Sequence, residues 1–459
     1  MRRPRHRLPL CLPLLASLAA LLAGCSLPGV PGGPTGPAAL PDAQQVFRPL
    51  DVATKGSNLA SLDPALIEFQ SDYNLAQLIF PPLVTLDEHN QVVPWTAQRW
   101  ETSADGLTWT FHLRPGMKWS DGVPIDASTY AYSLNRSLDP CTESGVAYYL
   151  TGQDSELIKD SMAFRDRLCP QGATVAPDTL IGKSLIVGDA QTLIILLSHP
   201  AAYLPAALTY STAWAQPRQL IERYGEQWTD HLGDDGGFGG NLFTVRRWEH
   251  PAGRSTSAQH GTASLVLRRN EAFWGTKAKL REIDWSLYPS QSLLWNDFTA
   301  GFGDSASPDA IELGEARTMP GFHQDPGLAI AYLAPNLGAP PFNDLRVRQA
   351  LSLALDRTAL AQLSPYPRAP TVHIVPQGMP GYNPDLKDPA VRTGDTALRP
   401  DVARARELWQ SYVADKCGGD AAKCPKIGVQ YRAGVPDQAA AANLYIQQWQ
   451  AAMPGLRVT

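Results

Sequence analysis

The strictest pattern in the sequence is the alternation of apolar and polar side chains between Leu107 and Arg114. In an extended chain, Trp109, Phe111 and Leu113 fall on one face, and the polar residues between them fall on the other. This alternation is typical of a half-buried strand. Turn signals that contain proline and glycine follow it, which bounds the strand.

The rest of the body predicts a mixture of strands and helices. Further strands are predicted at 46–52, 193–197 and 264–268, and helices at 72–79, 126–135, 343–358, 401–414 and 437–452. Asp72 and Asp126 are predicted helix caps, and Asp344 complements the dipole of its helix. The segment Gly233 to Gly240 lacks the strand–turn–helix context of a phosphate loop, so we expect a flexible surface loop there. The 459 residues suffice for two or three domains.

The N-terminus predicts an export signal at residues 1–24. Four arginines and no acid precede an apolar run from Leu8 to Ala23, which contains two prolines. The run is too short and too interrupted for a membrane span and is typical of a secretory signal. It ends in Leu22-Ala23-Gly24-Cys25, which resembles the lipobox of bacterial lipoproteins, where a peptidase cuts before the cysteine and the thiol receives diacylglycerol. An ordinary signal peptide beside a chance cysteine is the alternative.

Residues 25–45 are predicted to be a tether, because proline and glycine recur there without periodicity. The chain has 39 basic and 44 acidic residues, so it has no excess positive charge for binding nucleic acid. Loss of the signal removes four arginines and changes the formal net charge from −5 to −9. A protein of this charge needs a covalent lipid to stay at an anionic membrane.

After Cys11 leaves with the signal and Cys25 receives the lipid, four cysteines remain: Cys141, Cys169, Cys417 and Cys424. Four cysteines admit three disulfide pairings, and the two local pairings, Cys141–Cys169 and Cys417–Cys424, close the shortest loops. A zinc site is the alternative. Because the spacing of Cys417 and Cys424 is wide for zinc and no histidine lies nearby, we favour disulfides.

A search for catalytic motifs finds no nucleophile elbow, no zinc-protease helix, no Walker loop and no dinucleotide fingerprint. The nine histidines are scattered, and none lies at helical spacing from a second metal ligand. The sequence therefore predicts no catalytic residue, no metal and no cofactor.

Three parts of the chain resemble a known family. They are Leu83 to Leu134, which includes Lys118-Trp119-Ser120-Asp121-Gly122; the stretch that begins Pro340-Pro341-Phe342-Asn343-Asp344; and the turn Ser61-Leu62-Asp63-Pro64. In order and spacing they are similar to the family 5 extracellular solute-binding proteins, which are oligopeptide- and dipeptide-binding lipoproteins of ABC importers.

The resemblance implies an α/β fold, a two-lobed clamshell of the type II periplasmic-binding-protein kind. Lobe I would comprise 46–82 and 200–280, with a satellite domain at 83–199, and lobe II would comprise 281–459. The implied function is capture of extracellular peptides for a permease and its ATPase subunits, without catalysis. We expect a monomer that is lipid-anchored at the outer face of the bacterial cytoplasmic membrane.

Two departures from the family pattern affect these expectations. The usual Gly-Pro-Tyr or Gly-Pro-Phe appears here as Gly240-Asn241-Leu242-Phe243. The sequence stops at Thr459, where relatives begin another lobe II strand, so we expect lobe II to be incomplete. The aspartate that pairs with the amino terminus of the peptide in the family lies beyond this point.

The resemblance implies five ligand-binding residues: Glu68, Phe69, Gln70, Val146 and Tyr332. Ala334 stands where the family usually has an acid, which keeps a non-peptide solute such as a nickel chelate, haem or an oligosaccharide as an alternative. Core packing is the alternative role for Phe69 and Tyr332, and a solvated surface carboxylate is the alternative for Glu68. A secreted enzyme is the rival function of another class.

If Cys25 is the lipid site, Cys25→Ser should leave the protein unprocessed or shed it from the membrane. Membrane fractionation of expressing cells, with mass spectrometry of the mature N-terminus, measures both effects. Unchanged fractionation, together with a wild-type N-terminus that carries no lipid mass, would contradict the prediction.

Overall fold

The structure is a computed structural model that describes residues 41–52, 61–152, 156–171, 178–249, 263–324, 327–364, 366–379, 381–389, 391–431 and 436–459. The predicted signal at 1–24, Cys25 and most of the predicted tether lie outside these ranges. Among the described residues, no helix has the length and apolar character that crossing a membrane requires.

Twelve strands lie within the described ranges: β1 (Val46–Phe47), β2 (Pro49–Val52), β3 (Val84–Leu86), β4 (Val92–Pro94), β5 (Ala97–Thr102), β6 (Thr108–Leu113), β7 (Leu185–Asp189), β8 (Thr192–Leu196), β9 (Phe243–Glu249), β10 (Ala263–Arg269), β11 (Glu282–Tyr288) and β12 (Ser305–Ala306). The same ranges contain thirteen α-helices: α1 (Gln70–Ile79), α2 (Ala127–Leu138), α3 (Tyr148–Thr151), α4 (Ser161–Arg165), α5 (Leu204–Ala207), α6 (Arg218–Tyr224), α7 (Gln291–Thr299), α8 (Leu313–Ala316), α9 (Leu345–Leu353), α10 (Arg357–Ala361), α11 (Asp395–Leu398), α12 (Val402–Lys416) and α13 (Pro436–Ala452).

The largest sheet has six strands in the order β12-β2-β11-β10-β9, and β1 also pairs with β11. β1 and β2 run parallel to β11, β12 runs parallel to β2, and β10 is antiparallel to both of its neighbours. Because β11 pairs with strands that come early in the chain, it joins the N-terminal residues to a segment more than two hundred residues later.

A second sheet has four antiparallel strands in the order β5-β6-β8-β7. Its strand β6 confirms the alternation of buried and exposed side chains predicted between Leu107 and Arg114. On β6, Trp109, Phe111 and Leu113 are buried, and the residues between them are partly exposed. Helix α2 packs against β7 and β8. Its predicted cap is also confirmed, since the Asp126 side chain accepts from the backbone N–H of Thr129 and the Thr129 hydroxyl accepts from that of Asp126.

The described residues form two large apolar cores. The first core is built from residues between Leu62 and Leu287, and the second, between Val347 and Leu456, lies among helices α9, α12 and α13. In the second core the indole of Trp449 donates a hydrogen bond to the carbonyl of Leu351 at 2.9 Å. The two sheets therefore share one apolar core, and the helical unit has another, as a multi-domain chain requires.

The structure corrects two predicted helices. Asp72 is not a cap, because α1 begins at Gln70 with Phe69 as its N-cap, and Asp72 is buried in the first turn. The helix predicted at 343–358 is two helices, since α9 ends at Leu353 and Asp356 caps α10 through the N–H of Ala359 at 2.9 Å. The apolar period continues across the break because both helices pack on the second core.

The structure adds detail at three predicted segments. The strand that follows Arg281 lies between β2 and β10 in the six-stranded sheet, and the division between lobe I and lobe II stays a prediction. The end of the predicted tether contacts this sheet through an ion pair between Asp42 and Arg269 at 2.8 Å. The segment Gly233 to Gly240 is not a free loop, since Phe238 is buried and a Cβ on Gly240 would lie 2.6 Å from the Trp119 ring.

The structure pairs Cys141 with Cys169 and Cys417 with Cys424, the two local pairings favoured above. Within the described ranges, no group of three or more histidine, cysteine, aspartate or glutamate residues could hold a metal ion. The first disulfide joins the short helical turn before α3 to the segment after α4, and the second joins the end of α12 to the short helical turn after it.

A buried ion pair fixes the turn Ser61-Leu62-Asp63-Pro64. Arg136 on α2 donates two hydrogen bonds to the Asp63 carboxylate, at 2.8 and 2.6 Å, and the two side chains are 15% and 4% exposed. The indole of Trp228 and the backbone N–H of Ala65 each donate to the same carboxylate at 3.0 Å. Because four donors surround it, this buried charge is fully hydrogen-bonded.

The same network continues to the segment after α5. Arg136 donates to the Gln216 side chain at 2.7 Å, Gln216 donates to the Ser137 hydroxyl at 3.0 Å, and Ser137 donates to the carbonyl of Thr212 at 2.7 Å. Burial alone would lower the pKa of Arg136, but the charge and hydrogen bonds of Asp63 raise it overall. The network therefore joins the turn, α2 and the segment near Thr212.

Replacement of Arg136 should therefore strongly destabilise the folded protein. Arg136→Met leaves the Asp63 carboxylate buried without its cation, which should lower the free energy of unfolding by about 3–5 kcal/mol. Arg404→Met is the matched control, because it removes an ion pair with Glu407 in which both side chains are about half exposed or more. The control should cost no more than about 1 kcal/mol.

Chemical denaturation followed by circular dichroism measures both variants against the wild type. An Arg136→Met protein that unfolds at the same denaturant concentration as the Arg404→Met protein would contradict the role given to this ion pair.

Candidate functional site

The segment Glu68 to Gln70 leaves the anchored turn and enters α1. Ile67 is buried, Glu68 and Gln70 are exposed, and Phe69 is half-buried with an extended backbone at φ −108° and ψ 144°. The Gln70 side chain donates to the Asn74 side chain at 2.9 Å, so it is engaged within α1. The segment thus presents an extended piece of backbone at the surface, held at both ends.

Several backbone groups of this segment have no partner within the part of the chain that the structure describes. There, the N–H and C=O of Glu68 and the N–H of Phe69 make no hydrogen bond. The flanking carbonyls are engaged, since the Ile67 carbonyl accepts from Tyr210 and the Phe69 carbonyl accepts from the N–H of Tyr73. Exposed backbone groups between two fixed points can form hydrogen bonds with an added strand.

A group of aromatic side chains stands beside this segment, and we call it the tyrosine wall: Tyr73, Tyr148, Tyr149 and Tyr210. The rings of Tyr149 and Tyr210 stack with centroids 4.0 Å apart, those of Tyr148 and Tyr149 are 4.5 Å apart, and those of Tyr73 and Tyr210 are 5.8 Å apart. The Tyr210 hydroxyl donates to the carbonyl of Ile67 at 3.3 Å, which ties the wall to the segment.

Glu68 lies directly against the loop that carries the first disulfide. A Cβ on Gly145 would lie 2.3 Å from Oε1 of Glu68, so the carboxylate occupies the space that any larger side chain would need. Gly145 is exposed, and the next residue, Val146, is buried with 6% exposure. The bare backbone at Gly145 therefore allows the Glu68 carboxylate to approach the loop.

Two members of the tyrosine wall, Tyr148 and Tyr210, have raised pKa values. A hydrogen bond with Tyr149 and then burial raise the pKa of Tyr148 to about 12, and the nearby charges of Glu68 and Tyr332 act in the same direction. Burial is the main cause that raises the pKa of Tyr210 to about 12, and the nearby groups Tyr148, Tyr73 and Glu68 act in the same direction. Deprotonation is disfavoured at both sites, so the rings keep their hydroxyl protons and present neutral π faces.

The structure brings together some of the residues that the family resemblance implies as ligand-binding. Glu68 and the loop of Val146 are in contact, and Tyr332, which is 69% exposed, is close enough to Tyr148 to influence its pKa. The Val146 side chain itself is buried, so its predicted ligand contact would have to come from the backbone. For the other residues, ligand contact remains a prediction.

Sequence reasoning missed the tyrosine wall. Tyr148 and Tyr149 are 41% and 36% exposed and follow the predicted loop residue by only two and three positions. A pair of adjacent tyrosines beside a candidate binding loop was the available signal. Tyr210 gave no such signal, because only the fold brings it against Tyr149.

Comparison with known proteins shows which family and which relatives the chain is similar to. The family model described as "Bacterial extracellular solute-binding proteins, family 5 Middle" matches residues 91–459. The periplasmic oligopeptide-binding protein OppA of Escherichia coli is 31% identical over 420 residues, which cover 87% of this chain and 68% of that protein. The probable deoxycholate-binding periplasmic protein YgiS of the same organism is 28% identical over 352 residues, 74% of this chain and 58% of that relative.

A solved structure agrees with the family match. OppA of Burkholderia pseudomallei superposes with a TM-score of 0.65 over 92% of this chain and 75% of that one, at 22% identity. This likeness confirms the predicted fold, the α/β clamshell of type II periplasmic binding proteins. The chain belongs to family 5 of the bacterial extracellular solute-binding proteins.

Proposed function

We propose that this chain captures extracellular peptides and delivers them to an ABC permease and its ATPase subunits. The observation that carries the proposal is the extended backbone at Glu68 and Phe69, where both N–H groups and the Glu68 C=O have no partner among the described residues. A peptide laid along this segment would form main-chain hydrogen bonds as an added strand does.

The surroundings of the segment fit such a ligand. The tyrosine wall offers aromatic faces, and the Glu68 carboxylate offers one negative charge near them. Main-chain hydrogen bonds do not depend on the ligand's side chains, so a site of this kind accepts many peptides. Tyr332, from a later part of the chain, would contribute to the same site when the clamshell closes around a ligand.

The name of the first relative supports the peptide class, since it is an oligopeptide-binding protein. The protein would act by binding, and the partner ATPase would supply the energy for transport. The proposed location is the outer face of the cytoplasmic membrane, with the lipid on Cys25 as the anchor. The domain ranges for lobe I and its satellite are part of the same proposal.

A non-peptide solute is the second candidate. One relative of this chain is named as probably deoxycholate-binding, and deoxycholate is an amphipathic, non-peptide molecule. The exposed faces of Tyr148 and Tyr149 could pack against an apolar ring system as well as against a peptide side chain.

Calorimetric titration of the purified chain distinguishes the two candidates. Unblocked peptides of about three to five residues should bind, and N-methylation of one central peptide amide should weaken binding about 2- to 10-fold, because it removes one main-chain hydrogen bond. A matched peptide with the methyl group on a side chain is the control and should bind like its parent.

The competing ligands are deoxycholate, haem, a nickel chelate and an oligosaccharide, tested at the same concentrations. Saturable binding of one of these with no binding of any peptide would contradict the proposal and favour the second candidate. Equal binding of the N-methylated and parent peptides would contradict the role of the Glu68–Phe69 backbone.

A further inference from the structure

A small pocket lies where α1, β3 and the entry to β9 meet. Its volume is about 220 Å³, and its lining includes Gln77 of α1, Thr85 of β3 and Asn241, which comes two residues before β9. Gln77 and Thr85 are partly exposed, so the pocket opens at the surface. Gln77 lies about 10 Å along α1 from Gln70, so the pocket is separate from the segment proposed to hold a peptide.

Asn241 forms one side of the pocket, and it stands at the position where the family usually has proline. It is buried, with 1% exposure. Its side-chain carbonyl accepts a hydrogen bond from the Trp95 indole at 3.1 Å, and its side-chain amide donates to the backbone carbonyl of Gln77 at 2.6 Å. A proline side chain has no polar atom and could make neither bond. This departure from the family pattern therefore holds the Trp95 ring at the pocket.

The Trp95 ring forms an apolar wall of the pocket together with Leu78 and Leu242. The centroid of its ring lies 6.1 Å from that of Phe273 and 5.8 Å from that of Trp274. Packing and the indole hydrogen bond therefore both fix the orientation of the ring. An indole held in this way offers a ligand a rigid apolar surface.

The pocket also has hydrogen-bonding groups that the described part of the chain leaves unused. The Gln77 side-chain amide donates to the Thr85 hydroxyl at 3.3 Å, whereas the Gln77 side-chain carbonyl accepts no hydrogen bond there and the Thr85 hydroxyl donates none. None of the residues that line the pocket is ionisable. A charged ligand would therefore lose its hydration in the pocket without gaining a counter-charge.

We propose that this pocket binds one neutral pyranose ring. A pyranose has several hydroxyl groups, each of which can donate and accept hydrogen bonds, and an apolar face of C–H groups that would pack on Trp95. The pocket is smaller than the sites of about 300–1,000 Å³ that hold larger ligands, so it fits a single ring. The ring is supplied either by a free monosaccharide or by the terminal unit of a larger glycan.

The inference goes beyond the proposed function, because it does not depend on what is bound at Glu68 and Phe69. Saturation-transfer NMR with the purified chain tests it, using the methyl glycosides of glucose, galactose, mannose and N-acetylglucosamine and disaccharides that end in the same sugars. At least one methyl glycoside should bind, with the strongest transfer to the C–H protons of one ring face. A disaccharide that binds as tightly through its terminal ring identifies a glycan as the source, and binding of the methyl glycoside alone identifies a free sugar.

Substitutions assign the binding to the pocket. Gln77→Leu and Thr85→Val each remove one polar group, and each should weaken binding about 2- to 10-fold, as the loss of one hydrogen bond predicts. Trp95→Leu removes the aromatic wall and should weaken binding by a similar factor. Gln349→Leu is the matched control and should bind like the wild type, because Gln349 is also a partly exposed helical glutamine, with one hydrogen bond to the carbonyl of Pro389. Thermal unfolding confirms that each variant is folded.

Absence of binding by every sugar tested, or binding that neither Gln77→Leu nor Thr85→Val weakens, would overturn the inference. Peptide binding is measured on the same variants and should be unchanged, because neither residue belongs to the Glu68–Gln70 segment or to the tyrosine wall. Failure of the sugar to bind therefore leaves the proposed function standing, and failure of every peptide to bind overturns only the proposed function.

Discussion

The arrangement of the site depends on the buried carboxylate of Asp63. A charge with 4% exposure must be compensated, and the fold compensates it with Arg136, the Trp228 indole and a backbone N–H. These donors come from parts of the chain that are far apart in sequence, so the ion pair holds the turn, α2 and the segment around Trp228 in one geometry. Glu68 comes five residues after Asp63, and its position is set by the turn.

The site combines backbone groups that are held by hydrogen bonds with backbone groups that are available to a ligand. The Ile67 carbonyl is held by Tyr210 and the Phe69 carbonyl by the first turn of α1, whereas the backbone groups between them are free of partners in the described ranges. The disulfide between Cys141 and Cys169 constrains the loop that brings Gly145 against Glu68. A ligand that meets preorganised groups loses less binding free energy to ordering the protein.

Local interactions could be read from the sequence. The alternation on β6 and the cap at Asp126 follow from the sequence because each depends on residues within a few positions of one another. Predictions that required tertiary packing failed more often. The break before Asp356 is not visible in the sequence because α9 and α10 share one core. The packing of the Gly240 segment is not visible either, because its close approach to Trp119 is a long-range contact.

The candidate site also has features that the sequence predicted and features that depend on tertiary packing. The resemblance placed Glu68 and the Val146 loop near a ligand, and the structure brings them into contact. Burial of the Val146 side chain and the stacking of Tyr149 on Tyr210 could not be predicted, because both depend on segments that meet only in the folded protein. Pairwise contacts between distant tyrosines leave no periodic pattern in one sequence.

Hydrogen–deuterium exchange of the Glu68–Gln70 segment tests the central claim most directly, because it reports on the backbone groups themselves. The amides of Glu68 and Phe69 should exchange quickly in the free protein and slow markedly when a peptide is bound, whereas amides in the middle of β6 should change little. Binding of a peptide with unchanged exchange at Glu68 and Phe69 would contradict the account, and the ligand would have to be held elsewhere.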